Sequence, residues 1–278
     1  METIFAYGFM QRALIAGLAV AVTCAILGVF LILRKDAMIG HGLAHVTFGG
    51  VALGLFVQVT PILAAMAVSI LAALGILKLK EKAGLYEDTA LGIFASVGMA
   101  IGIIFVSLAG SFNVNLLSFL FGNILAIEPF EVWISLGLTV AVLLTVSLSY
   151  HELFYLTFDP ESAATAGIKV KRLEAVLAVL SAITVVLGMK VVGILLVAAL
   201  VVIPSAAGLM LAGNFRQAMV ISAMVAALSV FLGLLSAFYW DLPASGSIVI
   251  LSFLFFLVLF LVRVLKRRVN RAKPGVLS

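Results

Sequence analysis

Long apolar stretches separated by short polar connections run through almost the whole chain. Each holds about 20 residues, enough for an α-helix to cross roughly 30 Å of hydrocarbon. The stretches are continuous and do not alternate in polarity at every second residue, so they predict membrane-spanning helices rather than barrel strands. The pattern predicts about nine spans, at 11–33, 39–58, 61–78, 90–109, 130–149, 173–189, 191–212, 217–237 and 246–265.

Composition supports an all-α, polytopic transmembrane helical bundle, with residues 1–278 forming one domain. The chain has 278 residues, of which 65% are hydrophobic and 10% charged, and its mean hydropathy is +1.33. A soluble domain is nearer half apolar and a quarter charged. Residues 113–127 are apolar but too few to span comfortably, so we expect a re-entrant or interfacial helix there.

The basic residues are divided unevenly between the two sides of such a bundle. Every one of the 17 lysines and arginines except Arg12 and Lys190 falls in alternate loops or in the C-terminal tail. Because basic residues collect in cytoplasmic loops, this bias predicts an external N-terminus and a cytoplasmic C-terminus. The net charge of +5 is therefore explained by orientation and by anionic lipid headgroups, and we expect no nucleic-acid partner.

One cytoplasmic connection, residues 151–172, contains the signals of a short helix. Asp159 suits the N-cap, Pro160 the first helical position, Glu161 the first turn, and Gly167 the end of the helix. The segment predicts a short amphipathic helix beneath the membrane. It is either a simple connector or a docking helix for a cytoplasmic partner.

The most unusual polar residues are two histidines inside the second predicted span. His41 and His45 are four residues apart, so on a helix they share one face, one turn above the other. Imidazole nitrogens bind zinc and related divalent ions, and ionisable groups within a membrane usually mark a transport path. The pair predicts a metal contact that still needs water, a carboxylate or the same pair from a second subunit. Hydrogen bonding between helices is the alternative interpretation.

Small residues indicate where spans approach one another. Gly50 and Gly54, and also Gly98 and Gly102, are spaced four residues apart, a spacing that permits close helix packing.

Other residues limit the chemistry. No Gly-Lys dipeptide occurs, so the chain lacks a phosphate-binding loop, and any ATPase must be another chain. Glu128 and Glu131 are expected to be solvated loop acids on the outer side rather than cation ligands. Two other functions stay open. One is an ion-coupled carrier with the histidines as a proton relay; the other is a membrane-embedded zinc enzyme, although the nearest acid, Asp36, precedes the span.

Four stretches together resemble one family, the membrane permeases of ABC-type manganese, zinc and iron importers (the ABC-3 family). They resemble the motifs of that family in the same order and cover nearly the whole chain. The stretches are GHGLAHVTFGGVALG (40–54), LLSFLFGNILAI (116–127), FDPESAATAGI (158–168) and GILLVAALVVIPSAAG (193–208).

The resemblance implies a homodimer in a bacterial or archaeal cytoplasmic membrane, with cytoplasmic ATPase subunits and an extracytoplasmic metal-binding protein as partners. It assigns the metal path to His41 and His45. The family more often has Asp where this chain has His41, and a nitrogen ligand favours zinc over manganese. No permanently bound cofactor is implied, since zinc or manganese is the transported ion. The residues expected to couple to the ATPase are Asp159, Pro160, Glu161, Ala164 and Gly167.

Overall fold

Helices account for nearly all of the described residues. The structure, a computed structural model, describes residues 7–108, 119–123, 127–194 and 197–271, with the backbone alone for Glu87, Lys190, Val191 and 266–271. No strand occurs in these ranges, and the all-α class is confirmed. The helices are α1 (Gly8–Leu33), α2 (Ile39–Val57), α3 (Pro61–Ala83), α4 (Glu87–Leu108), α5 (Pro129–Leu148), α6 (Tyr150–Phe158), α7 (Pro160–Thr165), α8 (Val170–Val192), α9 (Val197–Leu211), α10 (Phe215–Trp240) and α11 (Ala244–Arg271).

Eight of these helices, α1 to α5, α8, α10 and α11, are long and apolar enough to cross a membrane. They correspond to eight of the nine predicted spans. The ninth, predicted at 191–212, contains α9, which has only 15 residues and is therefore about 22 Å long. The predicted division between the sixth and seventh spans at 189–191 is wrong, because α8 continues to Val192.

The break between α8 and α9 occurs at a glycine. Gly193 takes φ 82° and ψ 156°, a region that other residues rarely enter. It lies against residues 120–122, and a Cβ at Gly193 would be 2.4 Å from a backbone oxygen there. The Ile194 N–H donates to the Phe119 carbonyl at 3.1 Å, which satisfies a backbone group that the broken helix leaves free. Most of the predicted interfacial segment 113–127 lies outside the described residues.

The packing divides the helices into inner and outer ones. Helix α1 is the centre of the bundle, and it packs against α5, α8, α9 and α10. In contrast, α4 and α11 bury only a small part of their spanning residues. Helix α2 packs mainly against α3 and α4, and more lightly against α8 and α9. The helix that carries the histidine pair is therefore held from several sides.

Candidate metal site and coupling helix

The turn at residues 34–38 fixes where α2 begins. Lys35 adopts a left-handed φ of 65°, and the N–H groups of Lys35 and Asp36 donate back into the last turn of α1 at 3.1 and 2.8 Å. These two bonds close α1 with a Schellman motif. The Asp36 carbonyl then accepts a hydrogen bond from the Ile39 N–H at 3.0 Å. Helix α2 starts at Ile39, and the histidine pair falls in its first two turns.

The two histidines share one face of α2. Their Nε2 atoms are 3.2 Å apart, and the ring centroids are 4.7 Å apart with the rings nearly perpendicular, at 89°. Two nitrogens bound to one tetrahedral zinc ion, each at 2.0–2.1 Å, would be about 3.3 Å apart. The separation of His41 and His45 is thus the one that a shared ion requires. In the absence of an ion, it also suits a hydrogen bond between the two rings.

The pair opens on the surface of the chain. From Ile39 to Ala52, His41 and His45 are the two residues of α2 that are not buried. His41 is exposed and His45 is half-buried. Among the described residues, the side that is left open is therefore where further ligands can approach the Nε2 atoms.

A third protein ligand is missing from the described ranges, in which no group of three or more His, Cys, Asp or Glu residues could hold a metal. The nearest acid along the chain, Asp36, is only 7% exposed, and its carboxylate accepts a hydrogen bond from Arg34 at 3.0 Å. The His45 Nδ1 is buried and has no hydrogen-bond partner among the described atoms. The described part of one chain thus offers two nitrogen ligands.

Glycines hold α2 close to both of its main neighbours. A Cβ at Gly98 of α4 would lie 2.7 Å from Val46 Cα, and one at Gly49 would lie 2.5 Å from the Gly98 carbonyl oxygen. On another face of α2, Gly50 and Gly54 meet the backbone of α3 at 2.7 and 2.8 Å by the same measure. The glycine pairs noted in the sequence therefore lie at helix contacts, and the backbone that carries His45 is fixed by them.

The predicted helix at residues 158–168 exists as α7, and its start has the predicted cap. The Asp159 carboxylate accepts a hydrogen bond from the Ser162 N–H at 3.0 Å, and Pro160 begins the helix with Glu161 in the first turn. Hydrogen bonds from Ser162 hold the pKa of the Asp159 carboxyl below its usual value. The side chain therefore stays ionised, which suits a helix N-terminus.

The other end of α7 is closed at Gly167. Ala166 is the C-cap, and Gly167 follows with φ 85°. The N–H groups of Gly167 and Ile168 donate to the Ala164 and Ala163 carbonyls, both at 3.1 Å, which is a complete Schellman motif. Within α7 only Ala163 is buried, so the helix rests on the bundle by one small residue. Its other faces are open to a partner.

Aromatic rings join this segment to the centre of the bundle, a feature that the sequence interpretation missed. Phe158, directly before Asp159, lies 6.0 Å from the Phe215 ring, and Phe215 lies 5.2 Å from Phe30 of α1. Phe154 also contacts Phe215, at 5.6 Å. The spacing of Phe154 and Phe158, four apart on α6, was the available signal.

Two ion pairs hold the start of α8, just after this segment. Arg34, beside the turn into α2, donates to Glu174 at 2.7 Å. Lys171 pairs with Glu81 near the end of α3. The first pair is mostly buried, with side chains 12% and 25% exposed, whereas the second is exposed at 78% and 57%. The start of α8 is thus tied to both α1 and α3.

The acids at the start of α5 have a structural role, and the prediction that they are solvated is wrong for Glu131. That side chain is 5% exposed and accepts a hydrogen bond from the Glu128 N–H at 3.0 Å. Together the two residues form a capping box, with Pro129 at the start of the helix. The acid three residues after an N-cap folds back because the N-cap N–H has no other partner within the helix.

The model of the ABC 3 transport family matches residues 6–263, which is nearly the whole chain. This chain belongs to the ABC 3 transport family. The family resemblance noted in four sequence stretches is confirmed, and the chain is a multi-pass membrane protein.

Proteins with similar sequences include two that are named for metal transport. The manganese import system permease protein ScaB of Streptococcus gordonii is 34% identical over 268 residues, covering 95% of this chain and 96% of that protein. The high-affinity zinc uptake system membrane protein ZnuB of Haemophilus influenzae is 35% identical over 250 residues, covering 89% and 95%. The solved structure of PsaBC from Streptococcus pneumoniae in complex with Fab matches with a TM-score of 0.83 and 31% identity over 92% of both chains.

Proposed function

We propose that this chain is the membrane permease subunit of an ATP-driven importer of divalent transition metal ions, with zinc as the favoured ion and manganese next. Membership of the ABC 3 family supports the permease role, and its relatives include proteins named for manganese import and zinc uptake. ATP hydrolysis and external metal capture then belong to a cytoplasmic ATPase subunit and an extracytoplasmic metal-binding protein. The same membership disfavours an ion-coupled carrier.

The main support for a metal site is the 3.2 Å separation of the Nε2 atoms of His41 and His45 on an open face of α2. In a two-fold symmetric dimer, the same surface of each copy meets its equivalent. If that surface is the open face of α2, two copies bring four imidazole nitrogens to one pathway, which is a full tetrahedral set. An importer must also release its cargo, so two ligands from each movable subunit suit transport better than a rigid cage.

We propose that the N-terminus is outside and the C-terminus is cytoplasmic, as the basic residues indicate. The turn at 34–38, α7 and the start of α8 then all lie at the cytoplasmic end. Movement of an ATPase bound to α7 reaches α1 by two physical contacts. One passes through the rings of Phe158, Phe215 and Phe30, and the other through the ion pair of Arg34 with Glu174. The first series of contacts ends at Phe30 and the second at Arg34, and both residues lie at or near the turn that positions α2.

The decisive experiment is metal uptake by the complete importer in cells that lack their own zinc and manganese importers. His45→Ala should abolish uptake at normal membrane expression, because one chain then keeps a single nitrogen ligand. His151→Ala is the matched control, since His151 is the exposed third histidine of the chain, on α6, and its variant should transport normally. Normal uptake by His45→Ala would refute the site.

The choice of metal has its own test. Nitrogen ligands favour zinc over manganese, whereas a carboxylate oxygen suits the harder manganese ion. His41→Asp should therefore raise the ratio of manganese uptake to zinc uptake, measured with both ions in competition. An unchanged ratio would show that His41 does not select the metal.

A further inference from the structure

A groove between α5 and α10 lies outside the metal path. The two helices both pack along α1 and have little direct contact with each other, so α1 forms the floor of a cavity of about 680 Å³. Val22 and Ile26, one turn apart on α1, make this floor. Leu143 on one wall and Met224 on the other are exposed at 42% and 52%. The groove is therefore open to its surroundings and apolar along its length.

One end of the groove carries a cation without a carboxylate partner in the described part of the chain. Arg216, the second residue of α10, is exposed, and its guanidinium carbon lies 4.7 Å from the Tyr150 ring centroid. A cation near a helix N-terminus is disfavoured by the helix dipole, so the helix itself does not explain this residue. The stack on Tyr150 instead holds the guanidinium at the mouth of the groove, where it can receive an anion.

The length of the groove matches one leaflet of a bilayer. On α10 its lining runs from Arg216 to Ala227, which at 1.5 Å per residue is about 16 Å. Half of a hydrocarbon core of about 30 Å is nearly the same distance. An apolar channel one leaflet deep, with a single cation at headgroup level, is complementary to a lipid that has an acyl chain and an anionic headgroup.

We propose that this groove is a binding site for an anionic phospholipid. The headgroup phosphate accepts hydrogen bonds from the Arg216 guanidinium, and one acyl chain lies along Val22, Ile26 and Met224. A bound lipid fills the space between α5 and α10 and joins both to α1. Because it binds the folded protein, it stabilises that state. The inference uses the proposed orientation only to place the lipid in the inner leaflet.

The test compares phosphatidylglycerol with phosphatidylcholine on the purified permease–ATPase complex in detergent. Native mass spectrometry should show preferential retention of phosphatidylglycerol, and the same lipid should raise the melting temperature more than phosphatidylcholine does. Arg216→Gln should lower the affinity for phosphatidylglycerol about tenfold, since a charge-assisted hydrogen bond is lost. Arg263→Gln, which removes a cation of α11 outside the groove, should leave the preference unchanged.

A second variant tests the apolar part of the site separately. Ala223→Phe places a large ring in the groove and should reduce retention of both lipids although Arg216 is intact. Equal retention of the two lipids by the unmodified protein, or an undiminished preference in Arg216→Gln, would overturn the proposal. It would also be overturned if Ala223→Phe changed the fraction of dimer but not the lipid count, because the groove would then be filled by a second copy.

Discussion

The contact between α2 and α4 can be tested with two glycine substitutions on the same helix, α4. One glycine lies at the contact and the other, the control, lies away from it. In Gly98→Ala the added Cβ would lie 2.7 Å from Val46 Cα and 3.2 Å from Val46 Cγ2. Carbon atoms pack best at about 3.5–4.0 Å, so α2 and α4 must separate by roughly 1 Å. In Gly92→Ala the added Cβ meets nothing within 4 Å.

The two substitutions are expected to change the stability of the protein in opposite directions. Forcing a methyl group into a close-packed contact costs about 1–3 kcal/mol, whereas alanine in an open helical position gains up to about 1 kcal/mol over glycine. For a chain of this size, about 1 kcal/mol shifts a melting temperature by roughly 2–4 °C. Gly98→Ala should therefore melt about 2–12 °C below the unmodified protein, and Gly92→Ala should melt at or slightly above it.

Melting is followed in detergent by the fraction of protein that stays monodisperse after heating, with metal uptake measured in parallel. Uptake should fall in Gly98→Ala, because Val46 is the neighbour of His45 and both move with α2. A melting temperature for Gly98→Ala equal to that of Gly92→Ala would refute the packing argument. Normal uptake with a lowered melting temperature would instead refute the link between this contact and the metal path.

The other predictions concern the end of the bundle that carries α7. Asp159→Ala should increase hydrogen exchange at the Ser162 amide, and the difference from the unmodified protein should hold at neutral pH. Because hydrogen bonds lower the pKa of Asp159 in the folded state, the cap is complete above about pH 3.9 and is lost as pH falls through the lowered value. Glu174→Gln should cost about 1–3 kcal/mol because it leaves the mostly buried Arg34 incompletely paired, whereas Glu81→Gln should change the stability little, because its pair with Lys171 is exposed. Melting temperatures of the two variants check this difference.

Features that depend on neighbours in sequence could be predicted from the sequence. The shared face of His41 and His45 needs only helical spacing, and on that face the structure places the two Nε2 atoms 3.2 Å apart. The cap of α7 needs only Asp159 and the amide three residues later. In both places the hydrogen-bonding partners are within five residues, so the local pattern contains the whole interaction.

Features that depend on distant segments could not be predicted in this way. Residues 191–212 form an apolar run. Gly193 is one of 24 glycines in the chain, so its presence alone does not indicate that the helix stops there. The stop depends on residues 119–122, which approach the Gly193 backbone and accept the Ile194 N–H. The burial of Glu131 was missed for a different reason: its capping box with Glu128 is local, but two acids beside a proline look like a solvated loop until the helix start is in place.

The environment of α2 bears directly on what completes the metal site. Three of its faces are occupied, by α4 at Gly49, by α3 at Gly50 and by α9 at Gly40, where a Cβ would lie 3.7 Å from Ala198 Cα. The remaining face exposes two imidazoles within the span, and ionisable groups that face lipid are costly. That face is therefore better covered by a water-filled path or by a second copy than by hydrocarbon. The same reasoning separates it from the groove beside Arg216, whose walls are apolar and whose single charge lies at one end.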